Sequence, residues 1–170
     1  MRTSFIIPIS ILALALCCAA ASAQTRTYTD AAEGYALELP SPSWGVVQRP
    51  GGAHRHTDFV HRGGGDCRLH VHREVVDRGV TTAALVDERE QELRFRPGYV
   101  ENSRETFAGR LGGIKFTYEY SDGGRLMAAR TYYLQADKRT IYVLRFKGTR
   151  ERLAALRSET DFIARSFRPR

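Results

Sequence analysis

The sequence predicts an α+β fold, an α/β sandwich whose central antiparallel β-sheet is flanked by two main helices. Three observations carry that expectation. Between residues 107 and 167, strand-like runs follow one another with only tight turns between them, so neighbours must pair antiparallel. One run, Ile141-Tyr142-Val143-Leu144-Arg145-Phe146, is apolar at nearly every position, which is the pattern of a strand covered on both faces and placed centrally. Beyond Thr149 the apolar period changes: Leu153, Leu156, Thr160, Ile163 and Phe167 recur at alternating steps of four and three, as one face of a helix requires.

Taken in order, the chain opens with Met1-Arg2, an apolar run from Ile6 to Cys18, and the small residues Ala21-Ser22-Ala23 before Gln24. This is the pattern of a secretory signal peptide over residues 1–23, cleaved near Ala23. The run is interrupted by Pro8 and falls short of the roughly 20 residues that a spanning helix needs. Leu14-Ala15-Leu16 before Cys17 and Cys18 lacks the small residue that a lipoprotein signal places just before its cysteine. The expectation is therefore an exported protein, periplasmic or secreted, with one domain over residues 24–170 and no transmembrane segment in the mature chain. That length, about 150 residues, suits a single hydrophobic core.

The formal charge is +7, and only Arg2 leaves with the signal peptide, so the mature surface is basic. For an exported chain this points to a protein partner or an anionic envelope component rather than to nucleic acid. Cys67 remains as the single mature cysteine, so no internal disulfide is expected and the core alone must hold the fold.

The first mature segment, Tyr28 to Pro40, reads as two short strands about a turn, with Tyr35, Leu37 and Leu39 on one face and Pro40 ending the second strand. Ser41-Pro42-Ser43-Trp44 follows as an extended loop, and its Trp is expected to plug the edge of the core. Thr57 to Arg62 and Cys67 to Val76 read as strands joined by Gly63-Gly64-Gly65. Thr81 or Thr82 can cap a helix through Leu93, which Pro97-Gly98 stops; Leu85, Val86, Leu93 and Phe95 form its apolar contact. Tyr99 to Phe107 returns as a strand. Ile114 to Tyr120 alternates strictly, Ser121-Asp122-Gly123-Gly124 supplies a tight turn, Ala128 to Gln135 forms the next strand, and Asp137-Lys138-Arg139 leads into the central one.

Candidate chemistry is concentrated between residues 51 and 76, which hold all five histidines: His54, His56, His61, His70 and His72. On a strand beginning at Cys67, His70 and His72 share one face, about 7 Å apart along the chain. Two imidazoles so placed can chelate Zn or Cu, with His54, His56 or His61 completing a tetrahedral set. The competing reading is a solvated outer face, because Arg55, Arg62, Arg68 and Arg73 would repel a cation unless Asp58, Asp66 or Glu74 offsets them. Cys67 alternates with the core residues, away from His70, so a Cys/His nucleophile is not expected. The glycine runs lack the Lys-Ser/Thr ending of a phosphate loop. Asp87, Glu88, Glu90 and Glu92 stand at helical spacing from Arg89, Arg94 and Arg96, which reads as surface ion pairs rather than an acid/base pair. No catalytic residues and no bound cofactor other than that metal are expected.

The hairpin Tyr-x-Asp-x-x-x-Gly-Tyr-x-Leu-x-Leu-Pro followed by Trp44, the turn Gly109-Arg110-Leu111-Gly112 before an aromatic strand, and the closing helix with Ser166-Phe167 together resemble the PsbP/Mog1-like superfamily. The resemblance covers most of the mature chain. It implies an α/β sandwich on a central antiparallel sheet, and binding or assembly roles rather than catalysis, with no shared catalytic signature to transfer. The expected function is an exported, non-catalytic binding or assembly module; the alternatives are a Zn or Cu protein built on the histidine cluster, and an enzyme.

Overall fold

A computed structural model describes residues 24–49, 56–63 and 67–170. Residues 1–23, where a signal peptide is expected, lie outside the described residues, as do His54, Arg55, Asp66 and the glycines at 64 and 65.

Seven strands form one antiparallel sheet: β3 (Trp44–Arg49), β4 (His56–His61), β5 (Cys67–Val75), β6 (Val100–Ala108), β7 (Gly112–Asp122), β8 (Arg125–Gln135) and β9 (Thr140–Thr149). Their order is β3-β4-β5-β9-β8-β7-β6, so β9 is the middle strand, as its apolar run requires. The β7–β8 turn is a two-residue Gly-Gly turn. Asp122 pairs with Arg125, and Gly123 and Gly124 take φ of +55° and +75°, which only glycine adopts at little steric penalty.

The two faces of β9 belong to different cores. Tyr142, Leu144 and Phe146 join Leu69, Val71, Tyr132 and Leu134 on one face. A second layer covers them: the hairpin β1 (Arg26–Asp30) and β2 (Tyr35–Leu39), extended by β10 (Arg168–Pro169), together with α2 (Arg150–Ala155) and α3 (Arg157–Ser166). Ile141 and Val143 face the other way, with Phe116, Tyr118, Tyr120, Ala129 and Tyr133, and α1 (Thr82–Leu93) lays Leu85 and Val86 on them. Thr81 caps α1, its hydroxyl accepting from the Ala84 N–H at 3.2 Å.

The first hairpin packs across the main sheet and recruits the chain end, with the Arg170 N–H donating to Gly34 O at 2.8 Å. Three features differ from the sequence-based expectation. Trp44 begins a strand instead of standing in a loop, although its fully buried ring does fill the core edge. The final helix breaks at Leu156, whose φ of −92° and ψ of +16° leave the helical region; the stripe from Leu153 to Phe167 is buried nonetheless, because the break reorients the axis without changing which side faces the sheet. Phe95 is 89% exposed rather than part of the α1 contact, since the helix has ended by Arg94 and the chain turns outward toward Pro97.

Gly113 makes the β7–β8 pairing possible. A Cβ there would stand 1.8 Å from the carbonyl oxygen of Tyr133, which is backbone and cannot swing aside. Gly113→Ala is expected to destabilise the protein by about 1–3 kcal/mol or more through strand displacement, whereas Gly112→Ala, with open space around its Cβ, stays within about 0.5 kcal/mol of the parent beyond the β-propensity change. Equilibrium urea unfolding of the two variants checks this; equal midpoints would refute it.

Candidate binding face

Helix α1 lies over β7, β8 and the Ile141 and Val143 positions of β9, and leaves the rest of β9 with β5 and β4 on the same sheet face without a helix. The strand period decides what stands there. On β5, Cys67, Leu69 and Val71 point into the core, so Arg68, His70, His72 and Glu74 point out. On β9, Ile141 and Val143 lie under α1, and the next two residues on that face are Arg145 and Lys147. The register aligns them in rows. Phe116, Thr131, Arg145, His70, Asp58 and Val47 run across β7 to β3, and beside them Tyr118, Ala129, Lys147, Arg68, Val60 and Gly45 do the same.

His70 and His72 do share this face, with ring centroids 5.5 Å apart. Each imidazole is engaged by a carboxylate: His70 Nδ1 lies 3.1 Å from Asp58 Oδ1, and His72 Nε2 lies 3.1 Å from Glu74 Oε1. Glu74 also accepts from Arg89 of α1 at 3.2 Å, and the His72 hydrogen bond, ahead of the Arg89 charge, holds its carboxyl below the ordinary range. His56 opens β4, but its side chain, like all of His54, lies outside the described residues. Among the described residues no group of three or more His, Cys, Asp or Glu side chains is arranged to hold a metal ion.

The α1 carboxylates form ion pairs, though not all at the surface. Glu90 is buried and accepts from both Arg94 (2.6 Å) and Arg104 (3.0 Å), so it ties the helix to β6. Arg104 also reaches Asp87 at 2.6 Å, and Arg89 reaches Glu92 at 3.1 Å.

Sequence reasoning did not single out Arg145 and Lys147, and it read Arg96 as an ion-pair partner of the α1 carboxylates, whereas among the described residues Arg96 has no carboxylate within ion-pair distance. Arg96 leaves the end of α1 and lies over the Tyr120 ring, 5.1 Å from its centroid. With Arg89, Glu92, Leu93 and Arg145 it lines a cleft of about 180 Å³ between the helix and the sheet. Burial, reinforced by the Arg145 and Arg96 charges, presses the Lys147 ammonium below its ordinary pKa. The alternation Val143, Arg145, Lys147 put two cations on one face, and that much was legible; the arrival of Arg96 from 50 residues away was not.

Comparison with solved structures places this architecture. CyanoP, the cyanobacterial PsbP of Synechocystis sp. PCC 6803, is 18% identical with a TM-score of 0.56, and the match covers 92% of this chain and 99% of that one. The Ran-binding protein Mog1p of Saccharomyces cerevisiae is 11% identical with a TM-score of 0.60, covering 87% and 96%. LpqN of Mycobacterium tuberculosis, involved in cell envelope biogenesis, is 12% identical with a TM-score of 0.57, covering 85% and 90%. The fold is PsbP/Mog1-like. No family model matches the sequence, and no curated protein does.

Within this PsbP/Mog1-like fold, His61 stands apart from His70 and His72 and cannot join them. It pairs with Cys67 across β4 and β5 and so points to the opposite face, where it is buried edge-on against Trp44. Its Nδ1 accepts from the Arg152 guanidinium at 2.6 Å and the Gly63 N–H at 3.1 Å, while Nε2 lies 3.9 Å from Glu159. Glu159 in turn accepts from Trp44 Nε1 at 2.7 Å. Cys67 is fully buried beside this cluster, and burial raises its thiol to about 11; the thiolate needed for nucleophilic chemistry is absent near neutrality.

Burial first, and then the Arg152 charge, lowers the His61 pKa. The unfolded chain therefore binds a proton at about pH 6.5 that the folded chain resists, so the contribution of neutral His61 to stability is full above that pH and declines as pH falls toward the folded pKa. His61→Phe is expected to cost about 1–3 kcal/mol at pH near 7.5, because Arg152 loses a buried acceptor, and to flatten the decline between about pH 6.5 and 5. Urea melts of both proteins across that range check it; parallel pH profiles would count against the assignment.

Proposed function

We propose that this chain is an exported, non-catalytic binding or assembly module that holds an anionic surface, of a protein partner or an envelope component, against the helix-free part of its large sheet. One observation carries this reading: Arg68, Arg96, Arg145 and Lys147 gather where the sheet is not covered by α1, while the opposite face is closed by a second layer. Unlike scattered surface charges, cations in adjoining rows of a rigid sheet present a fixed pattern to a partner. Export rests on the N-terminal sequence pattern. Binding roles among proteins of this fold, such as the Ran-binding Mog1p, are in keeping with it.

The test is retention of partners from an envelope extract by immobilised residues 24–170. Binding is expected to weaken at least about tenfold between low and roughly 0.3 M salt, and Arg68→Glu, a half-exposed position, is expected to weaken it at low salt. Salt-independent capture, or capture unaffected by charge reversal, would overturn the reading.

A second reading, Zn or Cu binding, is favoured by the 5.5 Å spacing of His70 and His72, with Asp58 and Glu74 as neighbouring oxygen donors. Native mass spectrometry of untagged protein with added Zn or Cu decides it. Stoichiometric uptake lost in His70→Ala/His72→Ala supports a site, and equal uptake in both proteins dismisses it.

A further inference from the structure

We propose that the cleft between the C-terminal turn of α1 and strand β9 is a phosphate-group site, with Arg145 and Arg96 lining it as its ligands and Lys147 on the same strand face close enough to add its charge. The inference rests on the reading of the sheet face as an anion-binding surface and narrows it to one place and one chemistry.

The cations there are held together without matching anions. Arg145 Nε is buried and has no hydrogen-bond partner. Among the described residues, no carboxylate lies within ion-pair distance of Arg145, Lys147 or Arg96; Asp122 acts on Lys147 only from farther away. Arg89 and Glu92, which also line the cleft, are paired with each other and Arg89 with Glu74 as well, so the guanidinium groups facing it without a carboxylate are those of Arg96 and Arg145. Bringing like charges together in partly desolvated surroundings is unfavourable unless something offsets it; elsewhere Arg94 and Arg104 pair with Glu90 and Lys115 with Glu105, while buried Arg130 and Arg152 donate to the neutral acceptors Thr160, Leu153 O and His61. At the cleft, the offset is left to a ligand.

Size and number select the ligand. A volume of about 180 Å³ lies well below the roughly 300–1,000 Å³ of a site for a drug-sized molecule, so one small group enters. Two guanidinium forks facing each other from a helix end and a strand, with the Lys147 ammonium beside them, suit a group with several charged oxygens rather than a single carboxylate, and phosphate matches that set. The cleft opens beside the exposed sheet face, so the phosphate can be free or can project from a larger envelope molecule such as a phospholipid.

The experiment titrates residues 24–170 with inorganic phosphate, following thermal unfolding and the Lys147 side-chain resonance by NMR, with chloride and acetate at matched ionic strength as controls. Saturable stabilisation by phosphate and an upward shift of the Lys147 pKa on saturation are expected, because a bound anion reverses the repulsion. Arg145→Gln and Lys147→Met are each expected to weaken phosphate binding about tenfold or more, while Arg110→Gln, in the remote β6–β7 turn, leaves it unchanged. A response no different from chloride, or one equal in all variants, would overturn the proposal. The Lys147 pKa in the unaltered chain keeps the test valid if either variant folds poorly. Vesicles of phosphatidylglycerol, against phosphatidylcholine, separate the sources: retention competed by inorganic phosphate assigns a lipid headgroup, and no retention with intact phosphate binding assigns a soluble phosphate. If phosphate fails here while partner capture remains salt-sensitive and dependent on Arg68, this site is refuted and the broader reading is not.

Discussion

Strand β9 must bury both of its faces, and the covering of those faces organises the molecule. Its residues alternate between two cores, Tyr142, Leu144 and Phe146 on one side and Ile141 and Val143 on the other, so a layer is needed on each. The two layers are unequal. The hairpin, the chain end and two helix segments close one face along its length, whereas the 12 residues of α1 cover β7, β8 and only the Ile141 and Val143 positions of β9 on the other. Polar residues at the far end of β9 and β5 follow from that shortfall, because no apolar partner exists there to bury them.

The closed side is fastened by polar contacts as well as by packing. Glu159 of α3 gathers Trp44, Ser41 and His61, and Arg152 of α2 completes the cluster by donating to His61. This joins the beginning of the large sheet to the final helices across more than a hundred residues of sequence. Each member is buried or half-buried and partnered, which is the condition under which buried polar groups specify a structure instead of destabilising it. The second sheet is tied in the same way: Thr57 donates to Asp30, Tyr142 to Gly34 O, and the Glu38 N–H to Ser166. Neither network reaches the open face, so the binding surface and the fastening of the fold are separate, and substitutions on the open face need not disturb the core.

On the open face the chemistry is graded. The histidines are hydrogen-bonded to carboxylates along β5, and among the described residues the cations of this face without a carboxylate in ion-pair distance lie toward β9 and the end of α1. A row such as Arg145, His70 and Asp58 thus carries a charge gradient across three strands. On the proposed reading, such a surface orients an anionic partner toward the cleft, and rigid strands hold that orientation more firmly than loops would.

Local periodicity determined much of this protein before any contact was known. The central place of the strand at Ile141, the meander around it, the buried stripe from Leu153 to Phe167, the capping of α1 by Thr81 or Thr82 and the common face of His70 and His72 all follow from spacing within one element, which the backbone geometry of strands and helices fixes. What needed the tertiary structure was everything decided between elements. Sequence spacing put His61 within reach of the other histidines, but strand register turned it to the opposite face. Nothing near Trp44 in sequence announced Glu159, and nothing near Arg145 announced Arg96. The cationic cleft exists only because a helix end and a strand face meet there, and a charge pattern made by two distant segments has no period in the chain to betray it.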